Sequence, residues 1–404
     1  MLAVAEARQR ILNAFAPLPP EQVGLSDALG RVLAEDVASR RTQPPKAVSA
    51  MDGYAVRAAD TANIPAVLEV VGAAPAGGAH QGEVAPGQCV RIFTGGPVPA
   101  GADAIVIQED TVAEGRLISV KVSVPVGHYI RPAGLDFSEG DILLKTGDTV
   151  TARDIGLAAA MNRPWLMVRR QPRVAILSTG DEVVMPGDPV GPNQIVSSNG
   201  LSLAAAVRAR GGIPISLGIA PDNRETLAAM AADARGADLL LTTGGVSVGE
   251  HDLVQSVLGE AGLDLDFWQI AMRPGKPLMF GHVHGTPVLG LPGNPVSSLV
   301  CAVIFMLPAL DRMQGVVAPE HPGYRAQLTV DLEENDRRED YLRAKLSYSA
   351  AGAPLVTPFS RQDSSMFSRL AHADCLVVRA PHAAPARAGD TVEYLPLPSG
   401  MLRI

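Results

Sequence analysis

Cysteine and aromatic residues are scarce in this chain of 404 residues, and their scarcity excludes several classes of protein. The three cysteines, Cys89, Cys301 and Cys375, lie far apart and form no C-x-x-C motif. A disulfide framework or a structural zinc site is therefore not expected, and the thiols are predicted to be buried in a protein of a reducing compartment. Aromatic residues make up 4% of the chain, which favours packing by small side chains over stacking surfaces.

Positive charge is also in short supply, since 34 Lys and Arg face 42 Asp and Glu for a net charge of −8. This balance argues against a general binder of nucleic acid or of anionic membranes. Residues 1–20 show helical apolar spacing broken by charges and lack the apolar region of a signal peptide. The longest apolar run, Leu299 to Leu307, is well short of the roughly 20 residues that span a bilayer. We therefore expect a soluble cytoplasmic protein.

What the chain does have is apolar material and turn residues, with 47% hydrophobic residues, 40 Gly and 33 Pro. Its length predicts two to four domains. We predict that residues 1–45 are helical, with Ser26 and Asp27 capping a helix that runs through Leu33. Residues 139–171 are predicted to return to helix and to pack with the N-terminal helices as a stalk.

Two further segments are rich in short Val and Ile runs between Gly and Pro turns, which is typical of β-structure. Residues 46–138 are predicted to form a β-rich module inserted into the stalk, and residues 319–404 a small C-terminal β domain.

Residues 172–318 alternate apolar strands with amphipathic helices, a pattern typical of a doubly wound, mainly parallel α/β sheet covered on both faces. In such a sheet ligands bind at the carboxyl ends of the strands. Each predicted strand end is followed by glycines or acids, in the loops Thr179-Gly180-Asp181-Glu182, Pro221-Asp222-Asn223, Gly244 to Asp252 and Pro292-Gly293-Asn294-Pro295. The predicted fold is therefore multidomain α/β plus β, with the α/β domain at its centre.

The strand-end loops combine groups that attract anions with groups that repel them. Glycines such as Gly244 and Gly245 let backbone N–H groups approach a phosphate, and a helix N-terminus adds a favourable dipole. Carboxylates repel a bare phosphate unless Mg²⁺ bridges the two. The candidate acids are Asp181, Glu182, Asp222, Glu250 and Asp252.

Structural alternatives remain open for each of these residues. Asp222 and Asp252 stand at helix starts, where a carboxylate often serves only as an N-cap. Gly244-Gly245 can be a tight turn, and the basic loop Arg273-Pro274-Gly275-Lys276-Pro277, which suits phosphate or a tetrahedral oxyanion, can be a solvated surface loop.

Taken together, the motifs resemble those of the molybdopterin molybdenumtransferases, the MoeA family, which includes the C-terminal domain of gephyrin. The matching segments are SAMDGYAV (49–56), FTGGPVPAGADAIV (93–106), LSTGDEV (177–183), TTGGVSVGEHD (242–252), RPGKP (273–277) and LPGNPVSS (291–298). The resemblance implies an elongated homodimer of four-domain subunits with a cleft between domains. It also implies Mg²⁺-dependent insertion of molybdate into adenylylated molybdopterin with release of AMP.

The resemblance also assigns residues. It implies that Asp52 and Thr94 line the cleft, that Arg131 and Asp136 close it, and that Glu182, Asp222 and Asp252 serve metal and pyrophosphate. Arg273 and Lys276 would hold anionic oxygens, Pro292 and Pro295 would shape the last loop, and Ser364 would help to place molybdate. Asp181, Glu182, Glu250 and Asp252 are the candidate metal ligands, and the remaining candidate substrate contacts are Gly244, Gly245, Ser247, Gly249 and Asn294.

The sequence departs from the family pattern at four positions. Gly96 stands in TGGP where the family usually has alanine, Arg273 and Gln269 replace usual lysines, and Leu135 replaces a common acid before Asp136. Two rival functions are a molybdopterin adenylyltransferase and a non-catalytic gephyrin-like scaffold. The implied partners are the two substrates, a second copy of the chain, and the adenylyltransferase and recipient molybdoenzymes.

Overall fold

A computed structural model describes residues 1–245, 253–317 and 323–397. Its central element is a six-stranded sheet. The strands lie in the order Ile213–Ala220, Arg173–Thr179, Leu239–Thr243, Thr286–Leu291, Pro277–Val283 and Leu263–Gln269. The first four are parallel, as predicted, and the last two run antiparallel to their neighbours. The antiparallel pair at this edge was not predicted.

Helices cover both faces of this sheet. Successive residues of its second strand point to opposite sides, so that Val174 and Ile176 join one apolar core while Ala175 and Leu177 join another. One face is covered by the helices Asn199–Ala209 and Pro295–Cys301, and the latter continues through a π-helical turn at Ala302–Met306 into Leu307–Gln314. The other face is covered by the helices Arg224–Ala232 and Leu253–Glu260. The prediction of a doubly wound domain is thereby confirmed.

The helical run Pro295–Gln314 is long and apolar enough to cross a membrane, with a mean hydropathy of 1.7. However, 67% of that window is buried inside the protein, and Val300, Phe305 and Leu310 lie in the central apolar core. Burial of this kind is what a core helix of a folded domain shows.

The N-terminal helix, Val4–Asn13, packs on the α/β domain. Its stripe of Val4, Ala7 and Ile11, with Phe15 beyond the helix end, joins the same core as Leu310 and Met313. The prediction that this helix packs with residues 152–161 is therefore wrong. The stripe marks one apolar face, but it does not say which domain that face covers.

The predicted stalk is a mixed structure rather than a helical one. Residues 25–27 form a single 3₁₀ turn, and the predicted helix from Asp27 to Leu33 does not form, because Gly30 takes a positive φ of 76° and Val32 and Leu33 make β-bridges to Thr149 and Val168. Its paired strands are Pro20–Gly24 with Trp165–Arg169 and Val37–Ala38 with Ile142–Leu144. The helix Ala152–Ala160 does form, and Thr151 and Asp154 make a capping box at its start.

The inserted segment forms its own six-stranded sheet. The strand order is Ala104–Ile107, Gly53–Val56, Gln88–Ile92, Ala66–Ala74, Leu117–Val120 and Thr111–Glu114. A short pair, Val48–Ser49 with Ile130–Arg131, and two 3₁₀ turns, Ala58–Thr61 and Gln108–Asp110, complete this β module.

The C-terminal segment forms a third six-stranded sheet with one short helix, Phe367–Ala371. The strand order is Met272–Arg273, Glu339–Tyr348, Pro354–Pro358, Tyr324–Leu328, Thr391–Pro396 and Cys375–Arg379, and the last strand also pairs with the second, which closes a barrel. The first strand comes from the α/β domain, so the basic loop reaches into the terminal domain. A last short pair, Val183–Val184 with Ile195–Val196, lies after the first strand of the α/β sheet.

Candidate functional site

A cavity of about 610 Å³ opens at the carboxyl ends of the parallel strands. All four strand-end loops border it or support its wall. The candidate residues that line it are Glu182, Asp222, Gly244, Gly245, Pro292, Asn294 and Pro295. Residues 172–317 thus bring together seven of the predicted site residues.

The first loop folds a carboxylate back over its own backbone. Gly180 has a φ of 132°, a conformation that favours glycine, and a Cβ atom there would lie 2.4 Å from Glu182 Oε2 and displace that carboxylate. Glu182 lines the cavity, whereas Asp181 is used for support, because its Oδ1 accepts the backbone N–H of Asp222 at 2.9 Å.

Asp222 is not the helix cap that its position suggested. The N-cap of Arg224–Ala232 is Asn223, whose Oδ1 accepts the N–H of Thr226 at 3.0 Å. The Asp222 carboxylate, which is not needed as a cap, lines the cavity with Glu182.

The glycine pair after the third strand is required by close packing as well as by backbone conformation. Gly244 and Gly245 have φ values of 92° and 62°, and Cβ atoms there would lie 2.7 Å from Thr179 O and 2.4 Å from Val254 Cγ2. Ser247, Gly249, Glu250 and Asp252 lie outside the described residues, so their assignments stay predictions.

Asn199 holds two strand-end loops together and was missed by the sequence analysis. Its Nδ2 donates to Thr243 Oγ1 at 2.8 Å and to Gly293 O at 2.7 Å, and the residue itself lines the cavity. The available signal was an amide side chain at a helix start on the ligand-binding edge of the sheet.

The terminal domain contacts the last cavity loop through Ser364. Asn294 Nδ2 donates to Ser364 Oγ at 3.0 Å, and Val296 N donates to Ser364 O at 3.3 Å. Behind this serine, the fully buried Arg343 donates to Asp363 O at 3.0 Å, and burial lowers the pKa of the Arg343 guanidinium. This buried arginine was also missed, because strand residues of Glu339–Tyr348 carry no motif that predicts it.

The two cations of the basic loop have different surroundings. Arg273 turns away from the cavity and pairs with Asp340 and Asp336 of the terminal domain, and these hydrogen bonds and charges raise its pKa. Lys276 is half-buried, stands next to the cavity-lining Pro277, and makes no ion pair with any described residue. Arg273 thus links the α/β domain to the terminal domain, and its assignment as an anion contact stays a prediction.

A second group of predicted residues lies on the β module and the stalk. Asp52 Oδ1 accepts from Thr94 N at 2.7 Å and from Thr94 Oγ1 at 2.8 Å, and these bonds lower the pKa of the Asp52 carboxyl. Arg131 and Asp136 line another cavity of about 600 Å³, together with Arg41, Lys46 and Gly95. No described residue of 172–245 or 253–317 borders this second cavity, so the two cavities are separate within the described part of the chain.

The donors around the first cavity fit a hard divalent cation. Glu182 and Asp222 border the same space, and the buried hydroxyl of Thr179, also on its wall, has no hydrogen-bond partner among the described residues. Mg²⁺ takes one or two carboxylates and completes its shell with water and phosphate oxygens. Within 1–245, 253–317 and 323–397, no cluster of three or more His, Cys, Asp or Glu forms an all-protein metal site.

Three family models cover nearly all of the chain. They are described as the MoeA N-terminal region (domains I and II), matching residues 2–162, a probable molybdopterin binding domain, matching 175–312, and the MoeA C-terminal region (domain IV), matching 325–397.

Similar proteins carry one name. Molybdopterin molybdenumtransferase of Haemophilus influenzae is 35% identical over 400 residues, which cover 98% of each chain. Molybdopterin molybdenumtransferase 2 of Mycobacterium tuberculosis is 38% identical over 363 residues, 87% of this chain and 89% of that protein. The crystal structure of the molybdopterin biosynthesis MoeA protein from Pyrococcus horikosii superposes with a TM-score of 0.85 at 30% identity over 98% of both chains.

Proposed function

The chain belongs to the MoeA family of molybdopterin molybdenumtransferases, transferases of molybdenum cofactor biosynthesis, and we propose that it inserts molybdate into adenylylated molybdopterin with release of AMP. The observation that carries this proposal is the cavity at the strand ends. It joins close-packed glycines and two carboxylates around one space, and its lining residue Asn294 is hydrogen-bonded to a serine of the terminal domain.

The glycine backbone and the carboxylates suit a pyrophosphate that arrives with a cation. Glu182 and Asp222 would hold Mg²⁺, and Glu250 and Asp252, outside the described residues, stay candidates for the same task. When bound, the ion would polarise the phosphate oxygens as a Lewis acid. Thr179 and Gly244 set the width of the space that the phosphates enter, since a Cβ on Gly244 would meet Thr179 O at 2.7 Å.

Lys276 is the cation that serves the anionic substrate. Arg273 donates its hydrogen bonds to Asp340 and Asp336, whereas Lys276 precedes the cavity-lining Pro277 and forms no ion pair with a carboxylate of the described residues. An ammonium can bind molybdate oxygens in several orientations, because it acts as a point charge without the fixed fork of a guanidinium. Asn294 and Ser364 orient the same anion by hydrogen bonding.

The β module supplies Asp52, Thr94, Arg131 and Asp136 to the cleft of a homodimer. This accounts for two groups of site residues that do not share a cavity within one chain. The cationic groups Arg41, Lys46 and Arg131 attract an anionic substrate directly. We place the enzyme in the cytoplasm, where an adenylyltransferase supplies its substrate and molybdoenzymes take its product.

The test is to incubate purified protein with adenylylated molybdopterin, Mg²⁺ and either molybdate or tungstate, and to follow AMP. Release of AMP that depends on molybdate is the expected result. Consumption of ATP with molybdopterin alone would instead identify an adenylyltransferase, and the absence of both reactions would favour a scaffold.

A further inference from the structure

We propose that Arg91 is a positioning residue that holds the Asp52–Thr94 pair of the β module in its working geometry. The proposal rests on the function proposed above, in which Asp52 and Thr94 face the substrate. Arg91 belongs to the strand Gln88–Ile92, and its side chain is half-exposed beside these two residues.

Both arms of the Arg91 guanidinium hold the chain that carries Asp52. Nη1 donates to the carbonyl oxygen of Gly53, the next residue, at 3.0 Å. Nη2 donates to Gln108 Oε1 at 2.7 Å, and the backbone N–H of Gln108 in turn donates to the carbonyl oxygen of Asp52 at 3.2 Å. One planar group therefore holds the Gly53 carbonyl directly and the Asp52 carbonyl through Gln108, and both carbonyls lie on the C-terminal side of the Asp52 Cα.

The same guanidinium also contacts two aromatic rings, one in the strand that follows Asp52 and one beside Thr94. The Arg91 Cζ atom lies 5.0 Å from the ring centroid of the buried Tyr54 and 4.9 Å from that of Phe93. Tyr54 follows Asp52 by two residues and Phe93 precedes Thr94. Cation–π contacts to both rings thus connect the two partners of the carboxylate–hydroxyl pair.

The consequence falls on one carboxyl group. Asp52 Oδ1 accepts both donors of Thr94, while Oδ2 makes no hydrogen bond to a described residue and is available to a ligand. The positive charge of Arg91 adds to the Thr94 hydrogen bonds in lowering the pKa of Asp52, which keeps the carboxylate ionised. Glu109, which accepts from Gln108 Nε2 at 3.3 Å, is the neighbouring charge of opposite sign.

The strand itself does not depend on these contacts. Gly53–Val56 is buried and pairs on both sides with Gln88–Ile92 and Ala104–Ile107, and a Cβ on Gly53 would meet Val106 O at 2.0 Å. Removal of the guanidinium should therefore leave the sheet intact and release only the Asp52 turn.

The experiment compares Arg91→Lys, Arg91→Met and the control Arg116→Met, an exposed arginine of the same module, in the molybdate-dependent release of AMP. Arg91→Lys keeps the charge but loses the fork and the stacking, so we expect kcat to fall about tenfold with the acid limb of the pH profile unmoved. Arg91→Met should lower kcat similarly and move that limb to higher pH, because the neutral side chain no longer favours the carboxylate. Arg116→Met should match the wild type in both measurements.

A second readout does not depend on activity. In protein labelled with ¹³C at aspartate carboxyls, the Asp52 signal, assigned by its loss in Asp52→Asn, should titrate at higher pH in Arg91→Met than in the wild type or Arg91→Lys. Wild-type kcat and pH profile in both Arg91 variants would overturn the positioning role. A wild type without molybdate-dependent AMP release would instead overturn the proposed function. Independently of that result, an Asp52 signal that titrates at the same pH in Arg91→Met as in the wild type would show that Arg91 does not act on Asp52.

Discussion

The strand-end cavity and the β module treat their carboxylates in different ways. On the module, Asp52 has two Thr94 donors and a nearby arginine, and its pKa is lowered by protein groups alone. In the cavity, Glu182 and Asp222 border the same space, and neither forms an ion pair with a cation of the described residues. A carboxylate that the protein has already satisfied can orient a substrate, whereas carboxylates left together without a cation are suited to a metal that comes with the substrate.

The largest effect should come from Glu182 and Asp222, the two carboxylates that border the cavity. We expect Glu182→Gln combined with Asp222→Asn to reduce molybdate-dependent AMP release by at least about 100-fold and to raise the Mg²⁺ concentration needed for half-maximal rate. Steady-state AMP release at several Mg²⁺ concentrations measures both. Glu225→Gln, on the exposed side of the adjoining helix, is the matched control. Full activity in the double variant would show that the cavity carboxylates do not bind a metal that the reaction needs.

The basic loop allows the same comparison between two cations. Arg273 pairs with carboxylates, whereas Lys276 forms no ion pair with a described residue. Lys276→Met should raise the KM for molybdate about tenfold, because it removes the one positive charge of this loop that no described carboxylate pairs with. Arg273→Met should change that KM by less than about twofold and should destabilise the protein by roughly 2 kcal/mol, because Asp340 is left buried without its partner. Thermal unfolding and kinetics with varied molybdate distinguish the two variants.

A double variant provides the control for the stability effect of Arg273→Met. Adding Asp340→Asn to Arg273→Met removes the buried charge and should restore part of the lost stability. If Arg273→Met instead raises the KM as much as Lys276→Met does, then Arg273 leaves Asp340 to bind the anion and the assignment of the two cations is wrong.

A smaller effect is expected at Asn199, which links two cavity loops without carrying charge. Asn199→Ala removes its hydrogen bonds to Thr243 and Gly293, and we expect kcat to fall about tenfold, corresponding to about 1.4 kcal/mol. Asn193→Ala, at an exposed position of the same domain, should leave kcat unchanged. Equal rates for the two variants would show that these loops hold their arrangement without Asn199.

The smallest effect concerns pH on the β module. Thr94→Val removes the hydroxyl donor to Asp52 Oδ1 and should raise the pKa of Asp52, because a hydrogen bond to the charged form is lost. As the pH falls, Asp52 is then protonated at a higher pH than in the wild type. The acid limb of the AMP-release profile should therefore move to higher pH, once the rate of each variant is divided by its own rate at neutral pH. Thr94→Ser retains the donor and should keep the wild-type limb. A limb that stays in place in Thr94→Val would mean that another group sets it.

The sequence predicted the α/β sheet and its binding edge because parallel strands place their carboxyl ends together, so local motifs become spatial neighbours. It failed where the outcome depends on distant partners. Gly30 and the β-bridges of Val32 and Leu33 override a capping signal, and the partner of Arg273 lies more than sixty residues away, at Asp340. Asn223 rather than Asp222 caps its helix, a choice between adjacent residues with similar propensity. Asn199 and Arg343 carry no motif, and their roles depend on contacts made only after folding.

The two-residue strand Met272–Arg273 pairs in parallel with Glu339 and Asp340 and comes three residues before Lys276. The terminal domain is therefore attached at the loop that bears Lys276, the cation proposed to bind the substrate, in addition to its connection through the chain. Engineering of this enzyme should account for that attachment. A chain shortened to end at residue 317 would lose the acidic partners of Arg273 and would free a guanidinium to compete with Lys276 for the same anion. Exchange of terminal domains between relatives would then alter substrate affinity even where every cavity residue is kept.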